Sequence, residues 1–214
     1  MRVLWFTFFV VGLDQLSKLW VKGSNIPWLG IDFQGRQYGV STPIIGDFFR
    51  LTYIENPGMA FGIDLGGKLF FSVFSIALSI GILYYLYRAR KENVGFRASL
   101  ALILGGAIGN LIDRVFYGVI FDEAPLFYGK VVDFFDVDFF NVNVFGYSLS
   151  RWPVFNVADA AVTIGIILLL FVQHHHEEDV TATTMPAIVK TGNDSGAITE
   201  PNSPQAMLPE DPAQ

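Results

Sequence analysis

Residues 129–140 read GKVVDFFDVDFF and hold three acids, Asp133, Asp136 and Asp138, among phenylalanines and valines. A fourth acid, Asp159, lies in the apolar segment VFNVADAAVTIG. When two carboxylates share one proton, one can take a proton from water while the other polarises a carbonyl group. Such a pair can hydrolyse a peptide bond as an aspartic dyad. This argument pairs Asp159 with one of the three acids without choosing among them.

Asp159 is unusual because no lysine or arginine follows it within its apolar segment. An ionised side chain at bilayer depth costs a few kcal/mol or more unless it finds a partner. We therefore expect Asp159 to face a cavity or another acid. Asn156 lies one helical turn earlier on a similar face, where it can donate a hydrogen bond.

The first apolar segment contains a possible ion pair in the sequence GLDQLSKLW. Asp14 and Lys18 are four residues apart, which places them on one helical face and close enough to pair. The simplest interpretation is a structural ion pair near the end of this segment. Ser17 and Lys18 are neighbours and point to different faces, which argues against a Ser-Lys protease pair.

A third polar group lies in GGAIGNLIDR, residues 105–114. Asn110 and Arg114 are four apart and share one side of a helix, whereas Asp113 is expected to point elsewhere. Two interpretations remain open, a binding role for Asn110 and Arg114 or simple helix packing with an interfacial arginine. Small residues allow a second helix to approach closely, and three glycines precede this group: Gly105, Gly106 and Gly109.

Composition excludes several kinds of chemistry. The chain has no cysteine, and its three histidines lie together at 174–176, after the last apolar segment. We therefore expect no thiol nucleophile, no Ser-His pair, no metal site and no cofactor. A formal net charge of -6 provides no basic patch for nucleic acid.

The elements that must position these acids are membrane helices. The chain has 214 residues, of which 52% are hydrophobic, and a mean hydropathy of +0.44. We predict an all-α integral membrane bundle of four transmembrane helices, since about 20 apolar residues cross a bilayer. The spans are approximately 3–21, 69–87, 98–120 and 154–172.

The distribution of basic residues predicts the orientation of this bundle. The link RARKENVGFR between the second and third spans is short and basic, which is typical of a cytoplasmic loop. Both termini are then cytoplasmic. Segments 22–68 and 121–153 form a small extracytoplasmic β/loop subdomain, in which FFRLTYIEN alternates like a strand. Residues 173–214 are polar and predict a disordered cytoplasmic tail.

Five motifs in this order resemble the lipoprotein signal peptidase (type II signal peptidase) family of bacteria. They cover residues 1–172 and are DQLSK at 14–18, ENPGMAFGI at 55–63, GGAIGNLIDR at 105–114, VVDFF at 131–135 and FNVADAAVTIG at 155–165. The resemblance implies a multi-pass protease of the bacterial cytoplasmic (inner) membrane. It implies cleavage of diacylglyceryl-modified preprolipoproteins on the amino side of the lipidated cysteine, without a metal, and inhibition by globomycin.

The resemblance also assigns residues. It places the catalytic pair on Asp133 and Asp159, near the extracytoplasmic face, and leaves Asp136 and Asp138 as solvated or loop-capping acids. The positions that it implies line or support the site are Asp14, Lys18, Asn56, Gly106, Asn110, Arg114 and Asn156. Residues 1–172 would form the membrane peptidase domain, in contact with membrane lipids and with the signal helix of the substrate.

Two features depart from the family pattern. The segment between Arg114 and Asp133 is longer than usual, and the extra length contains Asp122 and Glu123. The segment FFDVDFFNVNVFGYSLSRWP, residues 134–153, is also unusually rich in aromatic residues. Apart from these departures, Phe-rich outer segments are expected to cover the dyad as a lid.

Two alternatives belong to other classes. A small transporter would use its charges as a relay and would distribute acids toward both membrane faces. A membrane scaffold would use the glycine face and leave Asp159 unexplained.

Overall fold

The computed structural model describes residues 2–26, 30–60, 63–64, 67–138, 142–144, 147–149 and 151–184. The helices are α1 (Leu4–Lys22), α2 (Gly67–Arg88), α3 (Val94–Ile112), α4 (Gly118–Ile120) and α5 (Val157–Thr184). A π-helical turn, Asp113–Tyr117, joins α3 to α4. The strands are β1 (Gly23–Ile26), β2 (Ile31–Gln34), β3 (Ser41–Ile45), β4 (Phe49–Asn56), β5 (Met59–Ala60), β6 (Ile63–Asp64), β7 (Val131–Val137), β8 (Val142–Val144) and β9 (Tyr147–Leu149).

Three helical segments among the described residues are long and apolar enough to cross a membrane: Leu4–Lys22, Gly67–Arg88 and Val94–Ile120. They agree with the first three predicted spans. The apolar part of α5, Val157–Val172, is shorter. The fourth span therefore stays a prediction.

Helix α5 also differs from the prediction at both ends. It begins at Val157 rather than 154 and continues past 172 to Thr184. Residues 173–184, which the prediction assigned to the tail, continue α5 in the structure. The remainder of the predicted tail, 185–214, lies outside the described residues.

Helix α3 is the centre of the bundle, because α1, α2 and α5 all pack against it. Its first turn is capped by Asn93, whose side chain accepts a hydrogen bond from the Phe96 amide at 2.7 Å. Its glycines allow close approach, as the sequence predicts. A Cβ atom at Gly106 would lie 2.3 Å from the Ala158 carbonyl oxygen, and one at Gly105 would lie 2.8 Å from Val10.

A three-stranded antiparallel sheet covers one end of the helices, in the order β3-β4-β7. We call this the sheet end of the bundle. The alternation in FFRLTYIEN correctly predicts β4. Ile54 on β4 pairs with Asp133 on β7, and Glu55 pairs with Val132. Because side chains alternate along a strand, Asp133 and Glu55 project from opposite faces of this strand pair.

The long segment after α4 folds back onto the bundle. The amides of Phe127 and Gly129 donate to the carbonyl oxygens of Val115 and Arg114 at 3.1 and 2.9 Å. The Ser72 hydroxyl on α2 donates to the Phe127 carbonyl at 2.8 Å. A Cβ atom at Gly129 would lie 2.1 Å from the Asp113 carbonyl oxygen, so the contact requires glycine. The segment therefore packs against the C-terminal end of the span that begins with α3.

Candidate active site

The first turn of α5 holds Asp159 through a reciprocal cap. The Asn156 side-chain oxygen accepts a hydrogen bond from the Asp159 amide at 3.0 Å. The Asp159 carboxylate accepts one from the Asn156 amide at 3.2 Å. This is a capping box, in which the residues at N-cap and N3 satisfy each other's free amides. The helix start therefore fixes the Asp159 side chain.

Asp133 projects from β7 toward the same helix start and is only 2% exposed. The Asn156 side-chain amide donates to its Oδ1 atom at 2.6 Å. The Asn56 side chain, at the end of β4, also hydrogen-bonds to Asp133. The Asn56 oxygen accepts from the Gly58 amide at 2.9 Å, so the Asn-Pro-Gly turn orients this side chain.

Asparagines connect the two acids. Asn156 contacts Asp133 with its side-chain amide and Asp159 with its backbone amide. Asn110 on α3 donates from its side chain to Asp159 Oδ1 at 2.8 Å. The Asn110 oxygen accepts from Lys18 Nζ at 2.9 Å and from the Asn156 side chain at 3.1 Å. The network brings together Asp133, Asp159, Asn110, Asn156 and Lys18.

The electrostatic environment of Asp133 favours its neutral form. Burial, reinforced by the charge of Asp159, raises the pKa of Asp133 to about 7. Neither acid forms a salt bridge within the described part of the chain. The Arg114 guanidinium lies within electrostatic range of both carboxylates and donates weakly to the Asn110 carbonyl at 3.5 Å. A pair in this environment can hold one proton near neutral pH.

Asp159 opens onto a cleft of about 370 Å³ whose lining is mainly apolar. The lining residues are Trp152, Phe155, Asp159, Ala160, Thr163 and Ile164. Asp133 lies behind this surface, joined to it through Asn156. The expectation that Asp159 faces a cavity is confirmed. An extended apolar ligand can reach one of the two acids from this side.

The predicted ion pair in α1 is present and belongs to a larger group. Lys18 Nζ lies 2.8 Å from Asp14 and 2.9 Å from Asp113, and all three side chains are fully buried. The prediction that Asp113 points away from Asn110 is wrong, because Lys18 Nζ contacts both side chains. The two residues are three apart, a spacing that places them on one helical face. The π-helical turn begins at Asp113 and changes the helical periodicity there.

Gln15 is a second residue that the sequence did not single out. Its side-chain amide donates to Asp14 Oδ2 at 3.1 Å and to Asp113 Oδ1 at 2.9 Å. The Tyr117 hydroxyl donates to the Gln15 oxygen at 3.0 Å, which fixes the orientation of the amide. The only signal in the sequence was that Gln15 is next to Asp14. Adjacent residues of a helix point to different faces, so this signal did not predict that both side chains join one group.

The prediction that Asp136 is a solvated or loop-capping acid is wrong. Asp136 is 5% exposed and accepts hydrogen bonds from Thr52 Oγ1 and Arg151 Nε, both at 2.7 Å. Burial in the sheet requires such partners. Asp138 is more open and lies 3.5 Å from the Arg151 guanidinium. Both acids point to Arg151 rather than to Asp159.

The predicted lid lies partly outside the described residues. Residues 139–141, 145–146 and 150 lie outside the described residues. The two residues that flank segment 139–151 are held to the sheet. The amides of Asp138 and Trp152 donate to the carbonyl oxygens of Phe48 and Val137 at 2.9 and 3.0 Å.

The fold and the site define a helical membrane protein that carries a connected pair of carboxylates at one end of its bundle. Residues 6–174 match the model of the family described as signal peptidase (SPase) II. The chain belongs to the signal peptidase II family, which makes it a peptidase. The resemblance predicted from the five motifs is confirmed.

Relatives and solved structures agree with this assignment. The lipoprotein signal peptidase of Porphyromonas gingivalis is 37% identical over 185 residues, covering 74% of this chain and 76% of that protein. That of Pelodictyon phaeoclathratiforme is 38% identical over 161 residues, covering 75% and 83%. A bacterial membrane enzyme solved by the in meso method at 2.3 Å is 30% identical with a TM-score of 0.60, covering 88% of this chain and 94% of its own.

Proposed function

We propose that this chain is a membrane aspartyl endopeptidase that removes signal peptides from diacylglyceryl-modified prolipoproteins. Its cut would lie on the amino side of the lipidated cysteine, with Asp133 and Asp159 as the catalytic pair. The family membership supports the reaction class and the lipoprotein substrate. The geometry around the two acids supports the aspartic mechanism.

One observation carries the proposal, namely the double contact of Asn156 with both acids. It donates to Asp133 from its side chain and to Asp159 from its backbone. A residue that touches both carboxylates holds them in one polar network without adding a charge. An ion-paired acid would be held ionised, whereas an amide-linked pair retains a shared proton.

In the proposed reaction, ionised Asp159 takes a proton from water as the water oxygen attacks the scissile carbonyl carbon. Protonated Asp133 gives its proton to the carbonyl oxygen, forming a tetrahedral diol. Asp159 then protonates the leaving nitrogen, the carbon–nitrogen bond breaks, and a diol hydroxyl returns a proton to Asp133. One water is consumed and both acids recover their initial states. The raised pKa of Asp133 supports writing the shared proton on this acid in the scheme.

Neighbouring groups have distinct proposed roles. Asn110 and Asn156 orient the acids through the hydrogen bonds described above. Arg114 faces both acids and is positioned to donate to a substrate carbonyl oxygen. Asn56 ends β4 beside Asp133 and can bind an extended backbone. Gly106 acts by allowing α5 to approach α3, because its Cβ position is occupied by the Ala158 carbonyl.

We further propose that four spans cross the bacterial inner membrane with both termini in the cytoplasm. The sheet end would face the extracytoplasmic side, where a signal helix presents its cleavage point. The apolar cleft at Asp159 and the exposed aromatic residues of the spans suit contact with lipid and with the acyl chains of the substrate. Globomycin-type inhibitors are expected to bind there. Residues 173–214 remain a proposed cytoplasmic tail outside the peptidase domain.

The distribution of acids argues against the transporter alternative. Asp113 and Asp159 lie at the sheet end of α3 and α5, and Asp14, near the middle of α1, joins them in one polar network through Lys18 and Asn110. A charge relay would need acids distributed toward both faces.

The proposed function is tested by replacing Asp133, Asp136, Asp138 and Asp159 singly with asparagine. Cleavage of a diacylglyceryl-modified precursor is followed in detergent, with folding checked by thermal unfolding. We expect losses of about 10³-fold or more at Asp133 and Asp159, within the range for general acid–base groups. Folded Asp136→Asn and Asp138→Asn should both retain substantial activity. Full activity in Asp159→Asn would refute the dyad.

A further inference from the structure

Two backbone amides beside the dyad are held by acids from elsewhere in the bundle. Ala158 immediately precedes Asp159, and its amide donates to Asp14 Oδ1 at 2.9 Å. Val132 immediately precedes Asp133, and its amide donates to Asp113 Oδ2 at 3.2 Å. Each acid of the dyad therefore follows a residue whose amide is anchored by a buried carboxylate.

Both amides need an acceptor for a reason set by secondary structure. Ala158 lies in the first turn of α5, where backbone amides have no partner within the helix. Val132 lies on β7, an edge strand of the sheet, and its amide points away from β4. A carboxylate satisfies either amide, and a negative charge is favourable at a helix start.

Lys18 joins the two anchors. Its ammonium group lies 2.8 Å from Asp14 and 2.9 Å from Asp113, and none of the three side chains is exposed. The same ammonium group donates to Asn110, which donates to Asp159. Gln15 adds a neutral link, because its side-chain amide donates to both carboxylates.

We infer that Asp14, Lys18 and Asp113 form a positioning unit that sets the spacing of the dyad through the amides of Ala158 and Val132. The inference rests on the proposed dyad and adds Asp113 and Gln15 to the residues on which its geometry depends. These are positioning residues, since they act on the reacting acids through the backbone and through Asn110.

A gain in stability is a poor explanation for the burial of these three charged side chains. Removing three charges from water is costly, and buried ion pairs are weak evidence for stability. The unit instead connects α1, the end of α3, β7 and the start of α5 at one point. The charged groups that face the dyad from these elements are Asp14, Lys18, Asp113 and Arg114.

The test compares Asp14→Asn and Asp113→Asn with the control Thr7→Val. Thr7 is also buried and links α1 to α3, since its hydroxyl donates to the Ala101 carbonyl at 2.8 Å. The full-length enzyme is assayed in detergent on a diacylglyceryl-modified precursor. We expect kcat to fall about 100-fold in the two asparagine variants, as for a catalytic group displaced by about 1 Å, with KM within about twofold.

The pH profile separates positioning from a structural role. The acidic and basic limbs of a plot of kcat/KM against pH report the two apparent pKa values of the dyad. In the asparagine variants these two values should move closer together, because more distant carboxylates interact less. Thr7→Val should lower Tm while both limbs and kcat stay unchanged. Folded asparagine variants with kcat within about threefold of the parent enzyme would overturn the inference.

A second measurement applies if the asparagine variants do not fold. Amide hydrogen exchange in the unmodified enzyme should protect Val132 and Ala158 as strongly as the core of α3. Gln15→Met, a neutral change, should accelerate exchange at both amides. Rapid exchange of either amide in the unmodified enzyme would overturn the inference. Full activity of Asp133→Asn would instead refute the dyad, so the two failures are distinguishable.

Discussion

Glu55 and Asp133 lie on adjacent strands of one sheet and have opposite electrostatic environments. Burial tends to raise the pKa of Glu55, but hydrogen bonds from Lys130, Lys22 and Tyr53 lower it to about 2. Burial and the charge of Asp159 raise the pKa of Asp133 to about 7. The two side chains project from opposite faces of β4 and β7. The two faces supply different partners, namely two lysines around Glu55 and another acid beside Asp133, and these partners account for the opposite directions of the two pKa shifts.

The Glu55 cluster is a structural clamp. Lys22 at the end of α1 pairs with Glu55 and with Glu123 in the long segment after α4, and it lies 4.6 Å from the Phe121 ring centroid. Lys130 pairs with the other Glu55 oxygen at 2.8 Å. These cations hold Glu55 ionised and tie the long segment to the sheet. An acid in this state cannot donate a proton near neutral pH.

The largest expected effect comes from placing a cation beside Asp133, as Lys22 and Lys130 are placed beside Glu55. Ile54 pairs with Asp133 across the strands, so Ile54→Lys places an ammonium group beside it. Lysine should hold Asp133 ionised and reduce kcat at pH 7 by about 100-fold, the lower range for a lost acid catalyst. Precursor cleavage measures the loss. The neutral control Ile54→Met should retain activity within about threefold, and equal loss in both variants would contradict the electrostatic explanation.

The next effect is a gain in stability when Asp133 becomes neutral. Because the folded-state pKa lies above the ordinary value of 3.8, Asp133 contributes most stability below that value. That contribution is lost as pH rises through about 7. Asp133→Asn should therefore unfold at a higher Tm than the parent at pH 8, by several degrees, and at the same Tm at pH 4. A lower Tm for Asp133→Asn at pH 8 would contradict the raised pKa.

Glu55→Gln should have the opposite signature. It leaves Lys22 partly uncompensated and should lower the free energy of unfolding by about 1–2 kcal/mol, less than for a fully buried pair. Cleavage should stay within about threefold of the parent. Because the pKa of Glu55 is depressed, the difference in Tm should be present above about pH 4.5 and lost as pH falls toward 2. A large loss of cleavage would give Glu55 a role in the reaction.

The smallest effect is expected at the exposed edge of the same cluster. The Lys130 side chain is 40% exposed, so Lys130→Met should change the free energy of unfolding by about 0.5 kcal/mol or less. Chemical denaturation measures this change. A loss comparable with that of Glu55→Gln would show that Lys130, and not Lys22, dominates the clamp.

Local patterns in the sequence predicted much of the fold and part of the candidate site. Spacing of four residues identified the ion pair of Asp14 and Lys18, and alternation identified β4. The polar groups at Asn110 and Asn156 were noticed because they lie in apolar segments. All of these signals involve neighbours along one helix or strand.

The missed features depend on contacts between distant segments. Asp113 meets Lys18 because α1 packs against the end of α3, a contact between segments about 95 residues apart. Asp136 can be buried because Arg151, from a later segment of the chain, packs against the sheet and pairs with it. The anchoring of Val132 and Ala158 requires the tertiary positions of four elements, which no local spacing contains.

The shared proton is tested most directly by an infrared titration of carboxyl protonation in the purified enzyme. We predict a carboxyl group that titrates near pH 7 and whose signal is absent in Asp133→Asn. In Asp159→Asn the midpoint should fall, because the neighbouring charge is gone. A titration near pH 7 that persists unchanged in Asp133→Asn, or no such titration in the parent enzyme, would contradict the proposed dyad.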